Sequence, residues 1–121
     1  MPFSPDDLAL LGTTEEVRVE TTRPDGTTHR TTIWIMTDGD DVFVRSVRGE
    51  RGRWYRDLVA NPDLVVRAGK RAIAARAVPA ADDDSVARCS AALEQKYKGI
   101  PGLEPMLRPD TFATTLRLEP A

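Results

Sequence analysis

Cysteine and histidine are almost missing from this 121-residue chain, which has one of each, Cys89 and His29. A single cysteine excludes an internal disulfide framework, and one Cys with one His cannot assemble a zinc site. The same scarcity argues against Ser/His/Asp and Cys/His catalysis, because His29 would have to be the base of any such triad. Aromatic residues make up only 6% of the chain. No apolar run approaches the ~18 residues of a membrane span. The N-terminal stretch MPFSPDDLALLG carries acids where a signal peptide needs bases, so a cytoplasmic protein is expected.

What is present is globular. Hydrophobic residues are 40% and charged residues 30% of the chain, and the length suits a single domain over 1–121 with one core. The net charge of −2 is unevenly spread. From Arg45 to Arg76 there are nine basic residues and three acidic ones, a local +6 inside a remainder of −8. A basic middle in an acidic chain points to one local site for an anion. It does not point to a nucleic-acid surface, which usually needs a basic domain overall, and the seven aromatic residues offer few stacking platforms for single strands.

Periodicity and turn chemistry set out the elements. Ser4-Pro5-Asp6-Asp7 opens a short helix with a cap, a first-turn proline and acids at the positive end of its dipole. Gly12 would end it, and it would lie as a lid. Val17–Thr22 alternates as a half-buried strand, Arg23-Pro24-Asp25-Gly26 turns, and His29–Met36 returns as the second strand of a hairpin. Ile33-Trp34-Ile35-Met36 is apolar on both faces, which fits a barrel wall with something packed outside it. A third strand over Asp41–Val47 leads to a loop and then a helix over Arg53–Ala60, stopped by Asn61-Pro62. Leu64–Ala68 and Arg71–Val78 form another hairpin. Asp82–Tyr97 is the longest helix, with Cys89 on its apolar stripe, and Thr111–Glu119 is the last strand. Six mostly antiparallel strands with flanking helices predict a mainly β fold, a small barrel.

The strongest chemical constellation is Arg45-Ser46-Val47-Arg48-Gly49-Glu50-Arg51-Gly52-Arg53-Trp54-Tyr55, which joins a strand end to a helix start. Free N–H groups at a helix N-terminus attract anions, and arginines grip phosphate through two hydrogen bonds. Glycines allow close backbone approach, and Trp54 and Tyr55 offer flat apolar surface. These are the parts of a site for a phosphorylated aromatic ligand. The plainer alternative makes Trp54 a core residue and the arginines solvated. Thr27-Thr28-His29-Arg30-Thr31-Thr32 is a second candidate, although threonine is also simply a good strand residue. Asp82-Asp83-Asp84 reads as a helix start, since it lacks a calcium-loop ligand pattern.

Three segments carry a resemblance: Arg30-Thr31-Thr32-Ile33-Trp34, then Gly39-Asp40-Asp41-Val42-Phe43-Val44-Arg45-Ser46, then Trp54-Tyr55-Arg56-Asp57-Leu58-Val59-Ala60-Asn61-Pro62. Over about residues 13 to 80 the chain resembles the split-barrel flavin-binding superfamily of pyridoxamine phosphate oxidase-like proteins. It is nearest the deazaflavin-dependent nitroreductases and a sister family of small split-barrel proteins. The resemblance implies a six-stranded antiparallel split barrel, a homodimer, and FMN or a deazaflavin coenzyme bound in a surface groove. It places Thr31, Thr32 and Ile33, with Arg30 and Trp34 flanking, along the ring of the cofactor. It places Arg45, Ser46, Val47 and Arg48 toward the ribityl chain and phosphate, with Arg53 and Trp54 beside them. The chain departs from the nitroreductases at Arg23-Pro24-Asp25-Gly26 and at Ile33-Trp34, where they carry Lys-Ser-Gly and a proline. The function implied is hydride transfer to a small organic acceptor, with no catalytic side chain and no metal designated. The alternative is a non-catalytic cofactor-binding or scaffold member of the same fold. Trp34 discriminates: an indole filling the groove would favour the scaffold.

Overall fold

The structure, a computed structural model, describes residues 2–121. Its strands are β1 (Glu16–Thr22), β2 (Thr28–Trp34), β3 (Met36–Asp38), β4 (Asp41–Val44), β5 (Asp63–Ala68), β6 (Arg71–Pro79) and β7 (Leu116–Pro120). Its helices are α1 (Pro5–Thr13), α2 (Arg53–Ala60), α3 (Asp83–Tyr97) and the single turn α4 (Leu103–Met106). All strand pairings are antiparallel, in the order β2-β1-β5-β6-β7-β4-β3. The two edge strands, β2 and β3, are therefore consecutive in the chain, with only Ile35 between them. A sheet whose edges are joined by one residue must curl, so it is a barrel shut at that corner and split elsewhere.

The strand count is seven and not six, and Ile35 is the reason. The chain leaves the ladder there because helix α3 serves the Ile35 peptide instead. Its N–H donates to Tyr97 Oη (3.2 Å), and its carbonyl accepts from Lys96 Nζ (2.7 Å). Tyr97 Oη donates in turn to the Glu15 carbonyl at 2.6 Å, and Lys96 Nζ also donates to the Leu11 carbonyl in the last turn of α1. The helix α1 runs through Gly12 to Thr13, capped at its start by Ser4 Oγ, which accepts from Asp7 N–H. The expected strand over Thr111–Glu119 also shortens. Pro109–Thr114 is a 3₁₀ segment in which Thr111 Oγ1 donates to the Arg108 carbonyl and Thr114 Oγ1 to the Thr111 carbonyl. Hydroxyl bonding of this kind competes with a strand ladder. The strand expected over Asp41–Val47 is β4, which stops at Val44, three residues early.

Inside the barrel, Val17, Val19, Ile33, Val42, Val44, Val66, Leu116 and Leu118 form the main core, with Trp54 and Leu58 of α2 and Phe3 and Leu11 of the N-terminal segment inserted into it. Outside, α3 lays Cys89, Leu93 and Tyr97 on Met36 and Phe43, so this wall is apolar on both faces. Asp57 holds α2 to β1 by accepting from Thr21 Oγ1 at 3.0 Å. No helix is long and apolar enough to cross a membrane among the described residues.

Burial pushes the Lys96 ammonium down from its ordinary 10.5 to about 8, against the opposing pull of Glu15. Between pH 8 and 10.5 the unfolded chain holds a proton that the folded chain has released, so stability climbs with pH across that window. Chemical denaturation of the wild type and Lys96→Met should show their stability difference shifting toward the wild type from pH 7.5 to 10. A flat or falling difference would mean that Lys96 is not desolvated as described.

Candidate functional site

The split is a cavity of about 510 Å³, within the size range of small-molecule sites. One wall is the edge strand β2, through Thr31, Thr32, Ile33 and Trp34. The opposite wall is the turn from Arg45 to Arg48 together with Gly52, Arg53 and Trp54 at the start of α2. Ten of the eleven residues proposed from the sequence thus border one cavity. They meet because β2 and β3 diverge from the Ile35 corner and the loop from β4 to α2 borders the gap across from β2.

Arg30 is the exception. It does not line the cavity. Its guanidinium is drawn across the sheet face to Glu20 Oε2 (2.8 Å), which Arg67 shares from β5 at 3.1 Å. These two partners, Arg30 foremost, hold the Glu20 carboxyl below its usual range.

The loop wall is built around a serine. Ser46 is buried; its N–H donates to Thr114 Oγ1, and its carbonyl accepts from Gly49 N–H. Its hydroxyl oxygen is buried and, among the described residues, has no hydrogen-bond partner. Two glycines make this packing possible. Gly49 sits at φ +63°, and a Cβ there would lie 3.0 Å from the Asp110 carbonyl oxygen. A Cβ on Gly52 would lie 2.1 Å from Ser46 Oγ. Gly52 is also the cap position of α2, where no side chain caps the first turn. The cavity therefore gathers an orphaned hydroxyl and an uncapped helix N-terminus, with exposed Arg48 and Arg53 and half-exposed Val47 at its rim.

Arg45 plays a different part from the one its place among the arginines suggests. It is 1% exposed. Its Nε donates to Thr115 Oγ1, Nη1 to Ser90 Oγ and the Met106 carbonyl, and Nη2 to the Val86 carbonyl. Four of its five N–H donors are thus taken, which leaves at most one for a ligand. Its partners are all neutral, and its guanidinium lies over the Phe112 ring. Burial lowers its pKa. Arg45 is a buried, uncompensated cation that ties the end of β4 to α3 and to the Pro109–Thr114 segment.

Trp34 does not plug the cavity. Its indole stacks on Tyr97, centroids 4.0 Å apart and planes 4° from parallel, and packs with the α3 cluster. It forms a flat wall beside the open volume. Gly102, at φ +102°, comes up against it: a Cβ there would lie 3.6 Å from the indole. Trp54 is both core and cavity lining. Sequence reasoning missed Glu16, Gly102 and Met106, which complete the lining. The apolar character of residues 100–107 was the available signal for the last two. Cys89 is fully buried, and burial pushes its thiol up to about 11, so it is no nucleophile.

A bacterial family, described as "Uncharacterized protein conserved in bacteria (DUF2255)", matches residues 7–118. No curated protein matches the chain. Among solved structures, a candidate pyridoxamine 5′-phosphate oxidase of Listeria innocua aligns with a TM-score of 0.64 at 14% identity, over 93% of this chain and 87% of its own. An F420-H2-dependent reductase gives 0.69 at 15%, over 87% and 94%. The heme storage protein HutZ of Vibrio cholerae gives 0.67 at 16%, over 100% and 92%. The shared feature is the fold, a curled antiparallel barrel split along one side.

The contact between Ser46 and Gly52 can be tested directly. Gly52→Ala should destabilise the chain by about 1–3 kcal/mol through overpacking. Adding Ser46→Gly, which removes the opposing atoms, should recover most of that loss in a denaturant melt. A neutral Gly52→Ala, or no recovery, would contradict the packing.

Proposed function

The chain belongs to the DUF2255 family, and within that family we propose that the split cavity binds the phosphorylated end of FMN or of a deazaflavin coenzyme. The observation that carries this reading is Ser46 Oγ, buried without a partner beside the uncapped N-terminus of α2. A buried hydroxyl left unpaired is costly, and a helix N-terminus with free N–H groups suits a phosphate. Arg45 adds a positive charge that, among the described residues, pairs with no carboxylate. An anion bound here would satisfy all three.

In this reading Arg48 and Arg53 reach the phosphate from the rim, while Thr31, Thr32 and Ile33 run along a flat ring that faces the wall made by Trp34. When bound, such a coenzyme supplies the hydride chemistry for a small organic acceptor. The protein holds the anionic tail, orients the ring and keeps water from one side of it. The relatives that are a reductase and a candidate oxidase support this occupant. HutZ raises heme as another, but heme iron takes His, Cys, Tyr or Met as its axial ligand, and among the described residues Met106 alone of these types lines the cavity. A homodimer belongs to the same reading, with a second copy closing the open side of the split. Binding without turnover of quinones or nitro compounds would favour the non-catalytic version.

The test pairs stability with affinity. Wild type should bind FMN or F420 with a Kd below about 50 μM. Ser46→Ala should keep or raise the melting temperature, because it deletes an unpaired hydroxyl, while weakening the ligand about tenfold. Failure of both ligands to bind, or a Ser46→Ala protein that binds as well as the wild type, would overturn the proposal.

A further inference from the structure

We infer that Glu16 is a specificity residue of this cavity, its carboxylate accepting a hydrogen bond from the imide N–H edge of a flat ring that stands against Trp34. The inference rests on the reading above and adds the recognition of the end opposite the phosphate.

Among the described residues Glu16 is the one carboxylate that lines the cavity. It opens β1 directly across from Trp34 in the β1–β2 register. Opposed residues of an antiparallel pair share a face, with Cβ atoms about 4.5–5.5 Å apart, so the carboxylate is carried beside the indole. Glu20, four residues on, is occupied by Arg30 and Arg67, whereas among the described residues no cation pairs with Glu16. It is exposed and free to accept.

The start of β1 is also held in place. Tyr97, the residue under the indole, donates its hydroxyl to the carbonyl of Glu15, the neighbour of Glu16. One tyrosine thereby fixes both the aromatic wall and the backbone that carries the carboxylate. Such positioning by rigid supports is what a specific site needs.

The cavity is consequently lined by two chemically opposite sets of groups on different elements. The loop from Arg45 to Arg53 is cationic and donor-rich, and the β1–β2 end is anionic and acceptor-bearing. A ligand fits both only if its tail is an anion and its far edge is a hydrogen-bond donor. The imide N–H shared by flavin and deazaflavin rings is such a donor, and a ring edge bearing only acceptors would meet the carboxylate unpaired and be rejected.

The experiment compares FMN with its N3-methyl analogue, which lacks the donor and keeps the phosphate. Each is titrated into the wild type, Glu16→Gln and Arg53→Ala. Glu16→Gln should weaken FMN about tenfold and leave the methylated analogue within about twofold. Arg53→Ala should weaken both ligands equally. The exposed position of Glu16 means that the melting temperature of Glu16→Gln should match the wild type. FMN affinity unchanged by Glu16→Gln, or an equal loss for both ligands, would overturn the inference while leaving the phosphate reading in place. A wild type that binds neither FMN nor F420 would overturn the inference together with the reading it rests on, and the first titrations would reveal it.

Discussion

Ile35 stands alone between the two edges of the sheet, and most of the molecule follows from how that one peptide is held. Its N–H and carbonyl have left the strand ladder, and a buried backbone pair without partners would be costly. Tyr97 and Lys96 supply those partners from α3. With the corner pinned, β2 and β3 diverge, the sheet cannot close on its far side, and a gap opens between β2 and the loop after β4. The helix α2 fills one end of the gap with Trp54 and Leu58 and leaves the rest as the cavity. Tyr97 also carries the stacked Trp34, so the residue that shuts the barrel at one corner furnishes the wall of its opening.

The cavity's polarity arises from separate structural causes. At one end, close packing of Ser46 on Gly52 strands a hydroxyl at a helix start, and Arg45 is buried on neutral acceptors because it is needed to tie β4 to α3. Both features cost stability in the free chain, and an anion would offset that cost. On the β1–β2 side, Glu16 shares its sheet face with an indole and, among the described residues, pairs with no cation. The buried, unpartnered Ser46 hydroxyl is the group of this opening that a scaffold with no ligand has no evident reason to keep.

Much of this was legible from local chemistry. The capped start of α1, the Arg23–Gly26 turn, the helices stopped by Asn61 and started by Asp82, and the two-sided apolar wall at Ile33–Met36 all depend on near neighbours. The loop from Arg45 to Trp54 announced itself through its charge, its glycines and its place before a helix. The break at Ile35 was hidden because its cause lies 62 residues away, in Tyr97. Thr111–Thr114 alternates like a strand, yet its hydroxyls bond back onto the chain after Pro109. Arg45 looks like its neighbouring arginines in sequence, and only packing distinguishes a buried tie from a rim cation. Glu16 carries no motif; its place opposite Trp34 comes from the register alone.

Amide chemical-shift mapping by NMR, on addition of FMN or F420 to the isotope-labelled protein, tests most directly whether the split is the binding site. The largest changes should fall on Thr31–Trp34, on Ser46–Trp54 and on Gly102, the two walls and the glycine against the indole. Changes centred elsewhere, such as the opening beside Ala68–Arg71, or no changes at all, would contradict the account.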